Sequence, residues 1–500
     1  MKSKKILIFI LSICCSSNMM AQHVLTIDKA LEIARENSPD LKTSYLNLLK
    51  YRQILIAQQA SMKSQFSLSL SPISYSKNRK FDNRLSQWYT NENFSTNGTL
   101  KIQQPIPWTD GTVSLINKFG WQNNNSTVSD IENNNKSFTN DLYLQFTQPL
   151  FTYNTQKMEM QDIKYDYENA NISYALQKLE TEKQISTQFY NVYMAQSKLE
   201  ISEVEYKNAS DNYGIIKSKV DADLAAKEEL FQAEINLSSA ESSLEEKKVT
   251  LENAKDNLKK SLGIPLNEDL QVTSTIITNK VNISLEKAIQ HGLDSRLELR
   301  QREITTKQLE EQLIKTRALN EFKGDLSLSI GVTGNHRDFS NIYDTPTTSP
   351  AIALTFSVPI FDWGEKKARI AAQQKSIEIN EVQGKSELID IELNIREVAR
   401  NLENLSRQID IAKQSVKNAQ YTYDLNLIKY RQGDLSGMDM NQYQTQLSNK
   451  KISYSQALIN YKLELLNLKI LSLYDFEKNE AIVPIQDLDN LDKKYNSHEK

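Results

Sequence analysis

The segment Leu25-Thr-Ile-Asp-Lys-Ala-Leu31, near the start of the chain, recurs in altered form as Ile283-Ser-Leu-Glu-Lys-Ala-Ile289, 258 residues later. A second block matches at an offset of 210 residues, where Pro149-Leu-Phe151 meets Pro359-Ile-Phe361. An offset that holds over many positions indicates an internal duplication. The sequence therefore predicts two structural copies. The two offsets differ by 48, so the first copy carries that many extra residues between its blocks.

These offsets also predict the organisation of the chain. The first copy covers residues 22–282 and contains strands at about 64–150. The second copy covers residues 283–475 and contains strands at about 324–360, and residues 476–500 form a C-terminal tail. Each copy has the order helix, strands, very long helix, shorter helix. The fold class is therefore mainly α with a β portion.

Long helices are predicted because the chain lacks proline between Leu150 and Ile264 and between Ile360 and Val483. From residue 388 to residue 423, apolar or small residues recur at spacings of three and four, which is the heptad pattern of a coiled coil.

Helix lengths follow from the rise of about 1.5 Å per residue. A helix from Thr155 to Lys219 would be about 97 Å long. Single helices from about Asp28 to Met62 and from about Leu224 to Leu262 would be roughly 52 Å and 58 Å long. Two short helices stacked end to end would thus match one long helix, in an antiparallel coiled coil.

Segments of alternating apolar and polar residues lie between the helices, as where Phe66, Leu68 and Leu70 alternate with serines. This period of two predicts strands with one apolar face. The Asn-rich stretch Asn123 to Asn135 is predicted to be a linking loop. Either the apolar face contacts lipid, as in a transmembrane barrel, or it packs inward in a β-sandwich. One chain offers only four to six strands, so a conducting barrel would need several copies.

The N-terminus has the pattern of a signal peptide over residues 1–21. Lys2, Lys4 and Lys5 precede a short apolar run, and Ala21 supplies a small residue at the cleavage point. Cys14 and Cys15 are the only cysteines and fall within this segment, so the mature chain would have none, as suits an oxidising compartment. Acylation of one of them, as in a lipoprotein, is the alternative.

Composition excludes several classes of protein. The net charge of −3 argues against a nucleic-acid binder, and the mean hydropathy of −0.55 argues against a multi-pass helical membrane protein. The four histidines are scattered along the 500 residues, so no metal site is expected, and no cofactor is implied. Nucleophile-elbow, phosphate-loop and zinc-protease motifs are missing from the sequence, which argues against an enzyme.

The chain resembles the TolC-type outer membrane efflux channel family over essentially the whole mature sequence. The resemblance is carried by the duplicated element order, by the junctions Gln148-Pro-Leu-Phe151 and Val358-Pro-Ile-Phe361, and by the segment Tyr430-Arg-Gln-Gly-Asp-Leu-Ser-Gly-Met-Asp439. It implies a homotrimer in the outer membrane of a Gram-negative bacterium. The strands of three chains would share one β-barrel, and their helices would form a periplasmic α-barrel tunnel.

The resemblance also implies a function and partners. Members of the family are passive exit ducts of tripartite efflux or type I secretion systems. They work with a periplasmic adaptor (membrane fusion) protein and an inner membrane transporter of the RND or ABC type, and outer membrane lipid surrounds the barrel. A non-conducting envelope scaffold or adhesin is the alternative, because long helices alone would allow it.

The junctions between strands and helices are the first group of candidate site residues. Proline lacks an N–H and restrains the residue before it to an extended conformation, which suits a change from strand to helix. Pro149 with Phe151 and Pro359 with Phe361 are predicted to form such junctions, although ordinary strand ends would look alike.

A third proline segment departs from this pattern, because Gln104-Pro105-Ile-Pro-Trp108 is followed by the tight-turn signal Thr109-Asp-Gly111 and not by a helix. An additional hairpin turning at Gln104 to Gly111, on the periplasmic side, is therefore expected. It would raise the family's four strands per chain to six, and a shared barrel of 12 strands to 18. The alternative places this hairpin outside the barrel wall.

The second group of candidate residues lies where each long helix turns into the shorter one. Asp439 and Glu229 occupy equivalent positions under the offset of 210 residues. The resemblance implies that Asp439, six residues after Gly433, belongs to an acidic ring at the tunnel aperture, and that Tyr430 ties the inner helices together. Gln442 stands where the family has a second aspartate. The alternative role for both acids is capping of a helix N-terminus.

Overall fold

The structure is a computed structural model that describes residues 23–83, 86–128, 131–273, 280–432 and 434–482. The predicted signal peptide with Cys14 and Cys15, residue Gly433 and the tail beyond residue 482 lie outside these described residues. The described chain divides into two compact units. The first unit draws on the described parts of Met1–Asn47, Asn171–Glu298 and Lys385–Lys500, and the second on those of Leu48–Ala170 and Leu299–Gly384.

Eight α-helices lie within the described residues, and their lengths pair off along the chain. They are α1 (Ile27–Asn37), α2 (Pro39–Ser61), α3 (Thr155–Asp221), α4 (Lys227–Leu262), α5 (Leu285–Ser295), α6 (Leu297–Arg317), α7 (Glu365–Gln432) and α8 (Gly437–Ser472). Helices α1 and α5 have 11 residues each, and α4 and α8 have 36 each. Helices α3 and α7 have 67 and 68 residues. Across the described residues, no helix is both long enough and apolar enough to cross a membrane.

The single helix predicted from Asp28 to Met62 is wrong, because α1 ends at Asn37 and α2 begins at Pro39. Proline cannot supply the N–H of a helical hydrogen bond, and it excludes the residue before it from helical geometry. Ser38 accordingly has φ −56° and ψ 124°. Pro39 is therefore the sequence signal for this break. The prediction missed it because the residues on both sides have a helical pattern.

The core of the first unit lies where α1, α3 and α4 meet a small parallel sheet of β1 (His23–Leu25) and β6 (Leu270–Val272). Phe189 of α3 and Leu258 of α4 are fully buried there. Helix α4 ends at Gly263, whose φ of 72° and approach to the carbonyl of Asn37 leave no room for a Cβ atom. A second buried seam runs along α7 through Ile391, Ile395, Val398 and Leu402, at positions of the predicted heptad pattern. A short hairpin of β10 (Tyr474–Asp475) and β11 (Glu480–Ala481) follows α8.

The second unit contains one antiparallel sheet in the order β2-β3-β4-β5-β7, with two further strands pairing with β7. Its strands are β2 (Gln65–Asp82), β3 (Gln87–Ile106), β4 (Gly111–Val128), β5 (Ile131–Leu150), β7 (Lys323–His336), β8 (Thr347–Thr348) and β9 (Ala351–Ser357). The chain turns between β3 and β4 at residues 107–110, which confirms the additional hairpin. Within the described residues, five strands of 14 to 20 residues and the seven-residue strand β9 thus join in a single sheet.

The loop predicted from Asn123 to Asn135 is wrong for the residues that the structure describes. Asn123, Asn124 and Asn125 belong to β4 and pair with Lys136, Asn135 and Asn134 of β5. A low intrinsic preference of asparagine for strands is outweighed here, because neighbouring strands on both sides satisfy the backbone groups.

The register of the sheet separates an apolar face from a polar face. One row of directly paired residues on the apolar face is Phe66, Ile102, Leu115, Leu144 and Ile330. The corresponding row on the other face is Gln65, Gln103, Ser114, Gln145 and Ser329. The apolar face is exposed in the single chain, since Phe66 is 71% and Ile330 63% exposed. The alternation predicted for a transmembrane or sandwich strand therefore exists. On its apolar side, Phe339 packs against Phe119 and Phe138, whereas the row from Phe66 to Ile330 is largely exposed.

Candidate functional sites at the hairpin tips and the strand–helix junctions

Two helical hairpins turn in the first unit, and their tips carry the predicted aperture residues. Helix α3 ends at Asp221 and α4 begins at Lys227, while α7 ends at Gln432 and α8 begins at Gly437. Glu229 and Asp439 are each the third residue of the shorter helix. Both side chains are exposed. Gly433, in the second turn, lies outside the described residues.

Asp439 takes part in the N-terminal cap of α8. The hydroxyl of Ser436 accepts a hydrogen bond from the Asp439 N–H at 3.1 Å and donates to Asp439 Oδ2 at 2.7 Å. Capping-box motifs place an acidic or amide side chain at this third position, where it also complements the helix dipole. The sequence Ser436-Gly-Met-Asp439 carried this signal. The carboxylate therefore stays at the exposed tip while one of its oxygens binds the cap.

Glu229 occupies the corresponding position of α4 without such a cap. The residue before this helix is Ala226, which has no side-chain oxygen, and the Glu229 N–H donates to the Ala226 carbonyl at 3.1 Å. Glu228 and Glu229 place two carboxylates in the first turn of α4, where they complement the positive end of the helix dipole. Gln442, the remaining aperture candidate, is an exposed residue of α8.

Tyr430 joins the two hairpins near their tips. Its hydroxyl donates to Asn212 Oδ1 of α3 at 3.0 Å. Gly437 lies against the same side chain, because a Cβ atom placed on it would come within 2.7 Å of Asn212 Oδ1. Residues of all four helices, among them Asn236 and Gln444, line a cavity of about 150 Å³ beside this contact. Sequence patterns did not reveal Asn212, because its partner is 218 residues away.

The first strand–helix junction holds the N-terminus of α3 with a residue from the additional hairpin. Asp110, in the turn between β3 and β4, accepts from the Thr155 N–H at 3.1 Å, the Gln156 N–H at 3.0 Å and the Thr155 hydroxyl at 2.7 Å. Asn154 contributes the local cap by accepting from the Lys157 N–H at 2.7 Å. Asp110 thus acts as a cap from 45 residues away.

The predicted junction residues of the first side lie near the caps formed by Asp110 and Asn154. Pro105 and Pro149 are paired within β3 and β5, opposite Thr112 and Asp325. Phe151 follows β5 with φ 60°, and its ring lies 5.2 Å from that of Phe322. The change from strand to helix on the first side therefore occurs at Phe151 and not at the proline itself.

The second junction is capped locally. Asp362 accepts from the Gly364 N–H at 3.0 Å and from the Lys366 N–H at 3.1 Å, and these backbone bonds hold the pKa of Asp362 below its usual range. Pro359 and Phe361 lie in the irregular segment between β9 and α7, and the ring of Phe361 packs on Trp363 at 4.6 Å. Phe361 and Trp363 are 70% and 90% exposed in the single chain.

Helix α6 contacts both long helices within the second unit. Toward α3, Arg300 pairs with Glu168 at 2.6 Å, and Lys315 pairs with Asp162 at 2.5 Å. Partial burial and the adjacent Asp162 carboxylate together raise the pKa of Glu311 to about 7. Toward α7, the buried Asn380 donates to Thr306 Oγ1 at 2.8 Å and accepts from Arg302 at 3.0 Å. The contact of α6 with α3 therefore includes a carboxyl group with a raised pKa, that of Glu311. The contact of α6 with α7 depends instead on the amide of Asn380.

Among the described residues, no group of three or more His, Cys, Asp or Glu side chains is arranged to hold a metal ion. The site chemistry that the structure does offer is that of exposed carboxylates, helix caps and helix–helix contacts.

The chain is similar to known proteins both in sequence and in fold. Residues 288–472 match the family model of the outer membrane efflux proteins. No curated protein sequence matches the chain.

Three solved structures show the same fold. The Campylobacter jejuni CmeC outer membrane channel aligns with a TM-score of 0.70 at 15% identity, covering 93% of this chain and 88% of that one. The outer membrane protein VceC of Vibrio cholerae aligns with a TM-score of 0.63 at 14% identity, covering 90% and 95%. The open state of the Neisseria gonorrhoeae MtrE outer membrane channel also gives 0.63 at 14%, covering 90% and 89%.

At these identities the solved structures establish the fold, and the family model matches the second of the two helical series. Together they agree with the resemblance carried by the strand–helix junctions and by the segment from Tyr430 to Asp439. Residues 288–472 therefore match the outer membrane efflux protein family, and the chain as a whole has the fold of the outer membrane channels to which it is similar.

Proposed function

We propose that this protein is the outer membrane exit duct of a tripartite efflux or type I secretion system. Three copies would close one β-barrel in the membrane, and their helices would form the tunnel on the periplasmic side. Solutes or proteins would pass through passively, with energy supplied by an inner membrane transporter. The chemistry of a duct needs no catalytic group and no cofactor.

The observation that carries this proposal is the exposed apolar face of a sheet whose two edges are open. A row of Phe, Ile and Leu crosses the five strands from Phe66 to Ile330, and Leu328 continues the apolar face to Ile352 of β9. Polar residues lie on the other face. Such a sheet is stable in lipid only if its edge strands, β2 and β9, find partners, because unpaired backbone groups cost several kcal/mol each in hydrocarbon. Pairing β2 of one copy with β9 of the next satisfies both edges.

Six strands from each of three copies would give a barrel of 18 strands. The additional hairpin β3–β4 pairs with β2 on one side, apart from an irregularity between Ser71 and Ser74, and with β5 on the other, which favours its place in the wall. The strands of 18 to 20 residues are longer than the 9–11 residues or so that cross a bilayer. Their Asn-rich ends, including Asn123 to Asn135, would therefore extend outside the cell.

The hairpin tips of the first unit would form the aperture of the tunnel. Asp439 and Glu229 are exposed and sit at matching positions, so threefold symmetry would gather six carboxylates around a narrow axis. Such a ring attracts cations and repels anions. Tyr430, through Asn212, would hold α7 against α3 and so keep the aperture closed, with Gln442 and Gly433 beside it.

A periplasmic adaptor and an RND or ABC transporter are the partners that this duct requires. The alternative is a non-conducting scaffold with the same helices. The exposed apolar face of the sheet favours the duct, because a scaffold has no need of such a face.

Single-channel recording in planar bilayers tests the proposal. Purified protein should insert as a trimer and produce discrete conductance steps. Stable insertion without any conductance, also after loss of the aperture contact in a Tyr430→Phe variant, would support the scaffold.

A further inference from the structure

A short segment of the second unit folds back over the apolar face of its sheet. Residues 337–344, which form a strap, follow β7 and include a 3₁₀ turn at Phe339–Asn341. The ring of Phe339 lies edge-on to Phe119 of β4 at 5.6 Å and to Phe138 of β5 at 5.9 Å. Both partners belong to the apolar face, because they follow its alternation along β4 and β5. The strap therefore covers part of that face.

Two further contacts fix the strap on the sheet. Ile342 is 4% exposed and lies against Gly334 of β7, where a Cβ atom would come within 2.5 Å of Ile342 Cγ2. Asn140 of β5 donates a hydrogen bond from Nδ2 to the hydroxyl of Tyr343. The strap is thus a packed part of this face, and Gly334 leaves the room that it needs.

The position of the strap on β5 corresponds to one edge of a lipid bilayer. A barrel strand crosses the hydrocarbon in roughly 9–11 residues. Counted from Leu150, where β5 ends, about ten residues reach Asn140, which bonds to the strap. Leu142 and Leu144, which lie between these two levels, are 40% and 47% exposed on the apolar face. The strap therefore lies where the hydrocarbon of the outer leaflet would end in the proposed barrel.

The strap carries polar groups that hydrocarbon could not satisfy. Among the described residues, no acceptor is found for the backbone N–H groups of Phe339, Ser340 and Tyr343. Unpaired backbone groups are costly in hydrocarbon, but in a headgroup layer water and phosphate oxygens accept from them. A level just outside the hydrocarbon thus suits the chemistry of the strap as well as its position on β5.

Basic side chains lie beside the strap on the same face. Lys136 precedes Phe138 by two residues on β5, so it points to the same side, and Arg337 is the first residue of the strap. Both are exposed, and no carboxylate within the described part of the chain pairs with either of them. The acids of the strap, Asp338 and Asp344, are exposed as well. Phosphates attract the two basic groups, and the divalent cations that accompany phosphates attract the two acids.

We propose that the strap lies in the headgroup layer of the outer leaflet and that Arg337 and Lys136 bind the phosphate groups of its lipids. The exposed N–H groups of Phe339 and Ser340 donate to the same layer. The strap is thus a lipid-binding element of the outer wall and not an external loop. This inference rests on the proposed membrane barrel and adds a binding site to it.

Nitroxide labels on the full-length protein in lipid nanodiscs measure the depth of the strap. A label on Ser340→Cys is compared with references on the same face, Leu142→Cys in the hydrocarbon and Asn134→Cys beyond it. Access of oxygen to a label reports hydrocarbon, and access of a water-soluble nickel chelate reports water. The label at position 340 should be reached by less oxygen than that at 142 and by less chelate than that at 134. Wild-type protein treated with the same label controls for Cys14 and Cys15.

The references separate this inference from the proposed function. Chelate access at position 340 equal to that at 134 would make the strap an external loop, and oxygen access equal to that at 142 would place it in hydrocarbon. Either result overturns the inference and leaves the barrel standing. Chelate access at position 142 equal to that at 134 would instead reject the membrane barrel, and both proposals with it.

Lipid binding tests the role of the basic groups. The probe is lipid A with two phosphates, counted on the detergent-solubilised protein by native mass spectrometry. Lys136→Gln and Arg337→Gln should each weaken its binding by roughly fivefold, and the double variant by roughly 25-fold. The matched control is Lys118→Gln, because Lys118 lies on the polar face of β4, and it should leave binding unchanged.

Three results would overturn the phosphate contacts of Arg337 and Lys136. They are unchanged binding in the double variant, equal weakening by Lys118→Gln, and displacement of the lipid by inorganic phosphate at the same concentration, which would indicate a site for free phosphate. Arg337→Lys and Lys136→Arg keep the charge and should retain binding, whereas losses as large as those of the glutamine variants would indicate a structural role instead.

Discussion

The two helical hairpins α3/α4 and α7/α8 are nearly equal in length and differ at both ends. At the strand end, α3 is capped by Asp110 from a distant turn, whereas α7 is capped by the adjacent Asp362. At the tip, α8 begins with the cap formed by Ser436, whereas α4 begins after Ala226 without one. The first hairpin therefore receives part of its capping from a distant part of the chain, in addition to the local cap by Asn154, whereas the second is capped by its own sequence.

This difference teaches how the additional hairpin is held in place. The turn at residues 107–110 lies against the start of α3 because Asp110 satisfies two of its free backbone N–H groups and Asn154 donates to the Pro107 carbonyl at 2.6 Å. The extra strands are thereby fastened to the helix that follows them. The inserted hairpin therefore also supplies a cap for α3.

The largest expected effect comes from breaking this distant cap. Asp110→Ala should lower the free energy of unfolding by roughly 1–2 kcal/mol per chain, since it leaves N–H groups of α3 without an acceptor. It should also loosen the β3–β4 turn from the start of α3. Thermal unfolding in detergent measures the first effect, and hydrogen exchange at Thr112 and Val113 the second.

Asp362→Ala is the matched control for the local cap. This variant should lower the melting temperature through loss of the α7 cap and leave exchange in the β3–β4 turn unchanged. Equal exchange in the two variants would show that Asp110 does not fasten the hairpin.

The second prediction concerns the pH dependence of stability that Glu311 causes at the contact of α6 with α3. Because Glu311 has a pKa raised to about 7 in the folded protein against an ordinary 4.5, the folded state binds its proton more tightly. This contribution to stability is fully present below about pH 4.5 and is lost as the pH rises through about 7. The melting temperature of the wild type should therefore fall over this range relative to that of Glu311→Gln.

Asn380→Asp is the corresponding variant in the contact of α6 with α7, and its melting temperature is compared over the same pH range. A difference between wild type and Glu311→Gln that does not change from pH 4.5 to pH 8 would contradict the raised pKa of Glu311.

The smallest effects are expected at the tips. Asp439→Asn keeps the shape of the cap and removes the charge, and Glu229→Gln does the same where no cap exists. Both should reduce the cation preference of the channel and weaken block by divalent cations from the periplasmic side. Only a change that removes the cap, such as Ser436→Ala, should lower stability, by about 1 kcal/mol.

Single-channel recordings and melting curves of these three variants separate charge from capping. Unchanged selectivity in both charge variants, with the trimer intact, would reject the aperture ring and leave helix capping as the role of Asp439.

Much of this molecule could be predicted from its sequence because its signals are local or periodic. The heptad spacing from residue 388 to 423, the alternation around Phe66 and the turn signal at Thr109-Asp-Gly111 each depend on neighbouring residues. The break at Pro39 was also local, but a strong helical pattern on both sides masked it. The loop prediction for Asn123 to Asn135 was wrong because asparagine favours loops, and pairing with neighbouring strands outweighs this preference here.

The contacts that tie distant elements together could not be predicted in the same way. Asp110 with Thr155, Tyr430 with Asn212, and Asp162 with Glu311 join residues far apart in the sequence, and no spacing rule relates them. Gly437 gave no signal of its own, since only the position of Asn212 shows why a side chain would not fit there.

The most direct test of the account is an electron cryo-microscopy map of the purified protein in lipid nanodiscs. The account predicts three copies around one axis and a continuous wall of 18 strands, with β2 of each copy paired to β9 of the next. A wall of 12 strands with the β3–β4 hairpin outside it, or a sheet that closes within a single chain, would contradict it.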